Sequence, residues 1–380
     1  MNESEIIFWF DSPPKVGKGA FNYVANNWGN SVYYVFNNDF RQERKNNNWD
    51  DGDFGKAHII RLYASENEQK TIIAIFEAHP NAIHIVNGFT SKITKKIKSI
   101  LLKDKNIRLA ILSERPNYLG IGPPEYYFRK LYYKIYYRLI YNKFAPYVKV
   151  LLPLGQKGVN AYRKYGWPDH IMFPFMYNPQ LKDLSSNSGS GFHTPLRFLY
   201  VGRFYCRTKG IDTLIKATHF LQGVWHLDLV EGYGKDAELV HEWIKNDPNI
   251  SFIGSWDSLQ VVNNMQCYDV VIVPSKYDGW NLLVNEAIHA GVGVIVSDEA
   301  VSDEVISTSN AGMVVKANNT QQLAQAMQLV INDPELCVKW KQNARNFVAN
   351  ISTETVGCYL ISILRYIFYH QGERPRCPWL

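Results

Sequence analysis

Short runs of β-branched and aromatic residues alternate with helical patterns along nearly the whole chain, and that alternation narrows the fold more than any other feature. Strands separated by helices are joined by crossovers, which gives a parallel sheet covered by helices. In the first half the pattern predicts strands at Glu5–Asp11, Ser31–Phe36, His58–Ala64, Thr71–Glu77, Ala82–Val86, Arg108–Ser113 and Val148–Leu152. Helices are predicted near Gly19–Trp28, Thr90–Lys103, Pro124–Asn142 and Gln156–Tyr165.

The segment Asp183–Pro195 interrupts this rhythm with Ser, Gly and Asn, the composition of a flexible connector. Beyond it the alternation restarts, with strands at Arg197–Val201, His226–Glu231, Ser251–Ile253, Val270–Pro274 and Gly293–Ser297. The helices between them fall at Gly210–Leu221, Asp236–Asn246, Ser258–Cys267 and Asn281–Ala290. A chain of 380 residues suits two cores. The expected fold class is therefore α/β, with two Rossmann-like domains facing each other across a cleft: residues 1–182, a linker at 183–195, and residues 196–353.

Two stretches of the second half carry chemistry. In Val273–Val296 a buried strand ends at Pro274, a polar turn holds Asp278, Gly279 and Trp280, and Asn281 is placed to cap the next helix. Free amides around Leu282 and Leu283 would bind a diphosphate, and Glu286, farther along that helix, could accept from a ribose diol. In Tyr200–Ala217 a strand delivers Gly202 and Arg203, and Lys209-Gly210 follows six residues later. Two cations beside one strand end can clamp a pyrophosphate, Arg by paired hydrogen bonds and Lys as a point charge. The plainer reading of such residues singly is solvated surface or helix caps.

The order GR-x5-KG-x3-LI-x-A, then Glu231-Gly232-Tyr233-Gly234, then an acid with Glu286 eight positions on, resembles retaining family 4 glycosyltransferases of the GT-B fold. The resemblance is strong over Leu196–Met327. It implies that Arg203 and Lys209 hold a donor diphosphate, Asp278 contacts the donor sugar and Glu286 the nucleotide ribose. It also implies a UDP- or GDP-linked hexosyl donor, no cofactor, no obligatory metal, and a closing helix about 354–380 that returns to the first domain. The chain departs from the pattern in three places. The first acid is Asp278 instead of Glu, Gly291 is not followed by Pro, and Ala300-Val301-Ser302 replaces a Gly-rich turn before Glu304. The family's N-terminal His is also missing at the expected strand end, which reads Ser113-Glu114-Arg115-Pro116, so Glu114 is the candidate near the anomeric carbon and His84 its rival.

Gly17 and Gly19, in a turn between the first strand and helix, are candidate cleft residues or a structural turn. Asp51-Gly52-Asp53 has a metal-binding D-x-D form but sits in a polar, Asn-rich stretch that reads as a loop.

Charge adds one further constraint. Net charge is +6, yet Lys92–Lys149 alone carries 14 basic and three acidic residues, which implies an anionic partner. Within it Leu131, Ile135 and Leu139 form one helical stripe beside Arg129, Lys130, Lys134 and Arg138. The stripe either meets an anionic bilayer or packs its aliphatic side on the sheet. A nucleic-acid partner lacks a reader motif. Five dispersed cysteines read as free thiols, and no signal core or spanning helix is evident, so the expected location is cytoplasmic, peripheral on a membrane. The function expected is transfer of a hexosyl unit from a nucleotide-sugar to a glycan or lipid-linked acceptor, in bacterial surface polysaccharide synthesis. The alternatives are a nucleotide-sugar 2-epimerase, a glycosyl phosphorylase, or a non-catalytic membrane-docking subunit of the same fold.

Overall fold

The computed structural model describes residues 3–14, 17–39, 53–117, 125–180, 191–230 and 234–380. Contacts gather the chain into two units. One comprises Met1–Tyr118, Gly122–Gln180 and Ser352–Pro378, and the other comprises Leu119–Ile121, Leu181–Ile351 and Trp379–Leu380.

In the first unit the order is β1 (Ile6–Phe10), α1 (Lys18–Asn27), β2 (Val32–Phe36), β3 (His58–Arg61), α2 (Glu68–Ala78), β4 (Ile83–Asn87), α3 (Lys92–Leu101), β5 (Arg108–Ser113), α4 (Glu125–Phe144), β6 (Val148–Pro153) and α5 (Gly155–Arg163). Its six parallel strands run β3-β2-β1-β4-β5-β6. The second unit continues with β7 (Leu196–Val201), α6 (Cys206–Lys209), α7 (Ile211–Thr218), β8 (Trp225–Val230), α8 (Ala237–Ile244), β9 (Ile250–Phe252), α9 (Ser258–Met265), β10 (Val270–Val273) and α10 (Leu282–His289). It closes with β11 (Gly293–Ser297), α11 (Asp303–Ser309), β12 (Gly312–Val315), α12 (Thr320–Asn332) and α13 (Glu335–Phe347). Its strands run β12-β11-β10-β7-β8-β9, all parallel. Renumbered within each unit, both sheets have the same doubly wound order. The winding direction reverses between β1 and β4 and between β7 and β10, which opens a crevice beyond the carboxyl ends of those strands.

The central strands are apolar without alternation because helices cover both faces. Ile6–Phe10 and Val270–Val273 are buried at every position. One core gathers Trp9, Ile93, Leu109 and Trp167, the other Phe198, Ile215, Ile272 and Trp340.

The stretch Thr71–Glu77, read as a strand from its β-branched residues, lies inside α2. Asn67 caps that helix by accepting from the Lys70 amide at 3.0 Å, and Ile72 and Ile75, three positions apart, are its buried face. Local capping and a helical period outweigh β propensity here. Only the first four residues of His58–Ala64 are extended, and Leu62–Ala64 form a 3-10 turn.

The last helix, α14 (Thr353–Tyr369), packs against α1 in the first unit. Their closeness depends on glycine. A Cβ on Gly357 would lie 2.5 Å from the Tyr23 ring, and one on Gly19 would lie 2.6 Å from Asn178 Oδ1 and 2.8 Å from Thr353 Oγ1. Glu335–Tyr369 is long and apolar enough to cross a membrane by length and composition. The fold divides it at Val348–Ile351 into α13 and α14, each with a buried face in a different unit.

Candidate functional site

The crevice of the second sheet is built from two loops that are fastened together. After β7 the chain passes Gly202 and Arg203, forms the single turn α6, and enters α7 through Gly210 at φ 68°. A Cβ on Gly210 would lie 2.0 Å from the Pro274 carbonyl oxygen, so only glycine lets these backbones meet. Just before it, the Thr208 carbonyl accepts from the amides of Lys276 (2.8 Å) and Tyr277 (3.2 Å), in the loop after β10. The loop is tied from its other side as well. Asp278 donates its amide to Glu299 O at 3.0 Å, Asn281 donates to Ala300 O at 3.2 Å, and Ser297 Oγ donates to Ser275 O.

This framework brings Lys209 and Asp278, 69 positions apart in sequence, into contact: Nζ to Oδ2 is 2.6 Å. Asn281 Nδ2 donates to the same carboxylate oxygen at 2.9 Å, while Asn281 Oδ1 accepts from the Leu283 amide at 3.0 Å. The Leu283 amide, expected to be free for an anion, is thus occupied by the helix's own cap; Leu282 precedes it at the first position of α10. Lys276 is likewise neutralised by Asp212 at 2.8 Å. Arg203 differs, being exposed with no side-chain hydrogen bond or ion pair among the described residues. Glu286 sits half-buried one turn into α10, and Gly279 and Trp280 are buried behind the loop. Glu231, Gly232 and Tyr233 lie outside the described residues. The turn before Glu304 folds without glycine. Val301 adopts φ 61° although fully buried, a conformation that costs a β-branched residue on the order of 1–3 kcal/mol.

In the first unit the corresponding crevice is differently furnished. The Asp11 carboxylate, just after β1, accepts from the amides of Lys92 (3.1 Å) and Ile93 (2.6 Å) and so occupies the start of α3. Gly17 lies against the Phe21 ring, and the Gly19 amide donates to Asn178 O at 3.0 Å, so both glycines serve packing of α1. Glu114, exposed at the end of β5, accepts from Tyr177 OH at 3.1 Å through Oε1. His84 is a core residue: its Nδ1 accepts from Trp9 Nε1 at 3.1 Å, its ring stacks on Phe76, and burial pushes its pKa down to about 3. A neutral histidine enclosed on β4 cannot reach a reacting centre, which removes it as a rival to Glu114. Asp51 and Gly52 lie outside the described residues. Asp53 accepts from Gly55 N (2.9 Å) and Gln180 Nε2 (2.8 Å), and the Gly55 hydrogen bond first of all holds its carboxyl below the usual range. Among the described residues no group of three His, Cys, Asp or Glu is gathered as a metal site.

Within the basic segment, Glu125–Phe144 form the long helix α4. Tyr136, Tyr137 and Tyr141 pack on the core, whereas Phe128, Leu131, Tyr132, Ile135 and Leu139 face outward at 54–71% exposure. The aliphatic stripe therefore does not pack on the sheet. Tyrosine takes that role because it buries a ring while keeping its hydroxyl wet. Lys130 and Lys134 flank the stripe in solvent. Arg129 stacks over Tyr133 (5.4 Å), and Arg138 is held back by Tyr165 O at 3.1 Å and the Tyr141 ring at 5.0 Å. Lys143 approaches Lys98 of α3, and that contact lowers the Lys98 pKa.

Residues 184–347 match the glycosyl transferases group 1 family. An uncharacterized glycosyltransferase of Methanocaldococcus jannaschii, MJ1069, is 27% identical over 164 residues, 41% of each chain. The N,N'-diacetylbacillosaminyl-diphospho-undecaprenol alpha-1,3-N-acetylgalactosaminyltransferase of Campylobacter jejuni is 24% identical over 136 residues, 36% of each. The matches thus span less than half the length of these curated relatives. Sucrose-phosphate synthase from Thermosynechococcus elongatus superposes with a TM-score of 0.68 at 18% identity, over 97% of this chain and 100% of that one. Anabaena HepE in complex with UDP and glucose gives 0.68 at 13% identity, over 95% and 99%. The fold is GT-B: two Rossmann-like α/β units, each with a six-stranded parallel sheet.

Proposed function

We propose that this chain, whose residues 184–347 match the group 1 glycosyltransferase family, transfers a hexosyl unit from a nucleoside-diphosphate sugar with retention of configuration, as in family 4. The observation that carries this reading is the Lys209–Asp278 pair, held at 2.6 Å where β7 and β10 end, at the crevice of the second sheet. Arg203 and Lys209 bind the diphosphate, Arg203 as a planar fork and Lys209 as a point charge. Asp278 receives donor-sugar hydroxyls, with Gly202, Gly279, Trp280 and Asn281 shaping that wall. Glu286 accepts from the ribose, and the amide of Leu282 and the start of α10 face the phosphates. Leu283 contributes apolar burial, since its amide is taken.

The departing diphosphate gathers negative charge as the glycosidic bond breaks, and preorganised cations stabilise that charge more than they stabilise the ground state. These cations carry the developing charge without an obligatory metal or other cofactor. In a front-side transfer the acceptor oxygen attacks on the leaving-group face, passing its proton to the departing phosphate oxygen. Glu114 is the first unit's candidate for contacting the reacting centre.

The HepE structure holds UDP, and the Campylobacter relative is named for a diphospho-undecaprenol acceptor. These support a UDP- or GDP-linked donor, a glycan or lipid-linked acceptor, and a role in surface polysaccharide synthesis. The outward stripe of α4 between Lys130 and Lys134 supports a peripheral location on an anionic membrane from the cytoplasmic side.

A panel of UDP-, GDP- and ADP-sugars, read by thermal shift and then by nucleotide release with acceptors, tests the reading. Release that requires acceptor supports transfer, whereas release without one points to an epimerase or hydrolytic fate. Arg203→Ala and Lys209→Ala are expected to lose nucleotide binding and turnover together; full turnover in both contradicts the assignment. Salt-sensitive pelleting with anionic vesicles, absent with neutral ones, is the expected membrane result.

A further inference from the structure

Residues 371–376 are mostly exposed, yet Trp379, three positions on, has no solvent exposure at all. It groups with the second unit although Ser352–Pro378 group with the first. Its indole Nε1 donates to Glu304 Oε1 at 3.3 Å, and its ring meets the Trp280 ring edge-on, with centroids 6.5 Å apart and planes at 73°. Trp280 is 4% exposed and donates its own Nε1 to Asn285 Oδ1 at 2.8 Å, on the buried side of α10. In sequence it lies between Asp278 and Asn281, the two side chains joined at 2.9 Å.

We propose that Trp379 is a positioning residue for the donor loop Asp278–Asn281, acting through Trp280 and Glu304. An aromatic side chain is the largest rigid filler available, and edge-to-face geometry fixes its partner's orientation as well as its depth. With Trp379 seated, Trp280 is confined between it and Asn285, so the loop backbone bearing Asp278 and Asn281 cannot relax inward. Glu304 lies in the first turn of α11, four residues after Ala300, whose carbonyl accepts the Asn281 amide, so the indole hydrogen bond braces the strap that holds the loop. A cavity in place of Trp379 gives Trp280 room to swing, and the Asp278–Asn281–Lys209 geometry loosens with it. Sites displaced by about 1 Å lose on the order of 100-fold in rate even when the chemistry-bearing groups are intact. The loop is thereby held by a residue about a hundred positions distant, outside the stretch 184–347 that matches the family.

This inference rests on the donor-loop reading above, and the test separates the two. Trp379→Ala and Trp379→Leu are compared with wild type for UDP and GDP affinity by calorimetry, for donor and acceptor KM, and for amide exchange. Both variants are expected to weaken the nucleotide that wild type binds and to raise donor KM at least five-fold. Acceptor KM stays within two-fold, and exchange at residues 279–286 accelerates at least ten-fold while β7 and β8 are unchanged. Trp379→Phe, which keeps the ring edge and deletes the N–H, retains most of the affinity. A folded Trp379→Ala or Trp379→Leu with unchanged exchange at 279–286 and unchanged nucleotide affinity overturns the proposal. So does acceleration spread evenly over the second unit, the signature of a merely structural role. If wild type binds neither UDP nor GDP, the donor reading fails, and the exchange comparison alone still decides whether Trp379 holds the loop. Should Trp379→Ala not fold, Trp379→Leu and Trp379→Phe carry the same readouts.

Discussion

Gly210→Ala tests the close approach on which the crevice of the second sheet depends. Gly210 has φ 68°, and a Cβ there would stand 2.0 Å from the Pro274 carbonyl oxygen and 3.0 Å from its carbon, both fixed backbone atoms. Alanine in the left-handed region costs about 1–2 kcal/mol. Displacing the loop costs about 1–3 kcal/mol more, by analogy with overpacking. The stiffer unfolded chain returns about 0.4–1 kcal/mol. The expected net loss is about 2–4 kcal/mol for the second unit, a fall in its melting temperature of about 5–15 °C for a unit of that size. Gly254→Ala supplies the internal control, because Gly254 has φ 91° but nothing within 4 Å of its would-be Cβ. It pays the backbone term alone, about 1 kcal/mol after the entropic return. Differential scanning calorimetry on wild type and both variants gives the comparison. Because the displaced loop carries the Thr208 contacts to Lys276 and Tyr277, Gly210→Ala should also weaken nucleotide binding, whereas Gly254→Ala should not. Equal destabilisation by the two variants would refute the argument, since it would show that the Pro274 carbonyl yields without cost.

Lys341→Met should destabilise the second unit by about 3–5 kcal/mol in denaturant titrations, because it leaves Asp269, which has no exposure, without the ammonium held at 3.0 Å. His84 binds no proton in the folded protein until the pH approaches about 3, whereas an unfolded histidine protonates near 6.5, so the unfolded state binds more protons in between and stability falls as the pH drops through that window. Its contribution between pH 7 and pH 5 is about 2 kcal/mol, and His84→Gln should remove that slope in parallel urea titrations; an unchanged slope assigns the acid sensitivity elsewhere. Asp278→Asn should bind a nucleoside diphosphate at least as well as wild type by calorimetry while losing turnover.

The fold was legible wherever a local pattern and its tertiary setting agree. Ile6–Phe10 and Val270–Val273 are apolar at every position because both faces are covered, and sequence shows that directly. Thr71–Glu77 was misread because its β-branched residues look extended, while the evidence for helix lay upstream in Asn67 and in the Ile72/Ile75 spacing. The strand–turn–helix unit that carries the proposed donor residues was legible as well: β10 ends at Val273, Asp278 follows in the turn, Asn281 caps α10 and Glu286 lies within it. What sequence could not supply was the fastening between segments far apart. Thr208 with Lys276, Trp280 with Trp379, and Asp269 with Lys341 are separated by tens of positions, and no periodicity records such pairings. Val301 illustrates the opposite limit. Ala300-Val301-Ser302 stands where the resembled family has a Gly-rich turn, and the chain adopts φ 61° with valine, a strain tolerated because the side chain is wholly buried.

In the proposed donor site, the Lys209–Asp278 pair also accounts for an acid placed so close to a diphosphate. Without Asp278, Lys209 would be an ammonium group with no fixed direction, free to sample solvent, and ordering it would be charged against donor binding. With the carboxylate at 2.6 Å, itself oriented by Asn281, the cation waits at the strand end. On the proposed reading, the donor need only exchange one charged contact for another: phosphate oxygens take over the ammonium, and the released carboxylate faces the sugar hydroxyls. Such an arrangement sacrifices some affinity for the diphosphate alone, because an existing ion pair has to open. It favours a ligand that supplies both an anion for Lys209 and hydroxyl donors for Asp278. A free nucleoside diphosphate supplies only the first, so neutralising Asp278 removes the competitor for Lys209 without removing any group that contacts the diphosphate, and that gain is set against the lost ordering of the ammonium. Weaker diphosphate binding in Asp278→Asn would mean that the carboxylate's orienting role outweighs its competition for the ammonium.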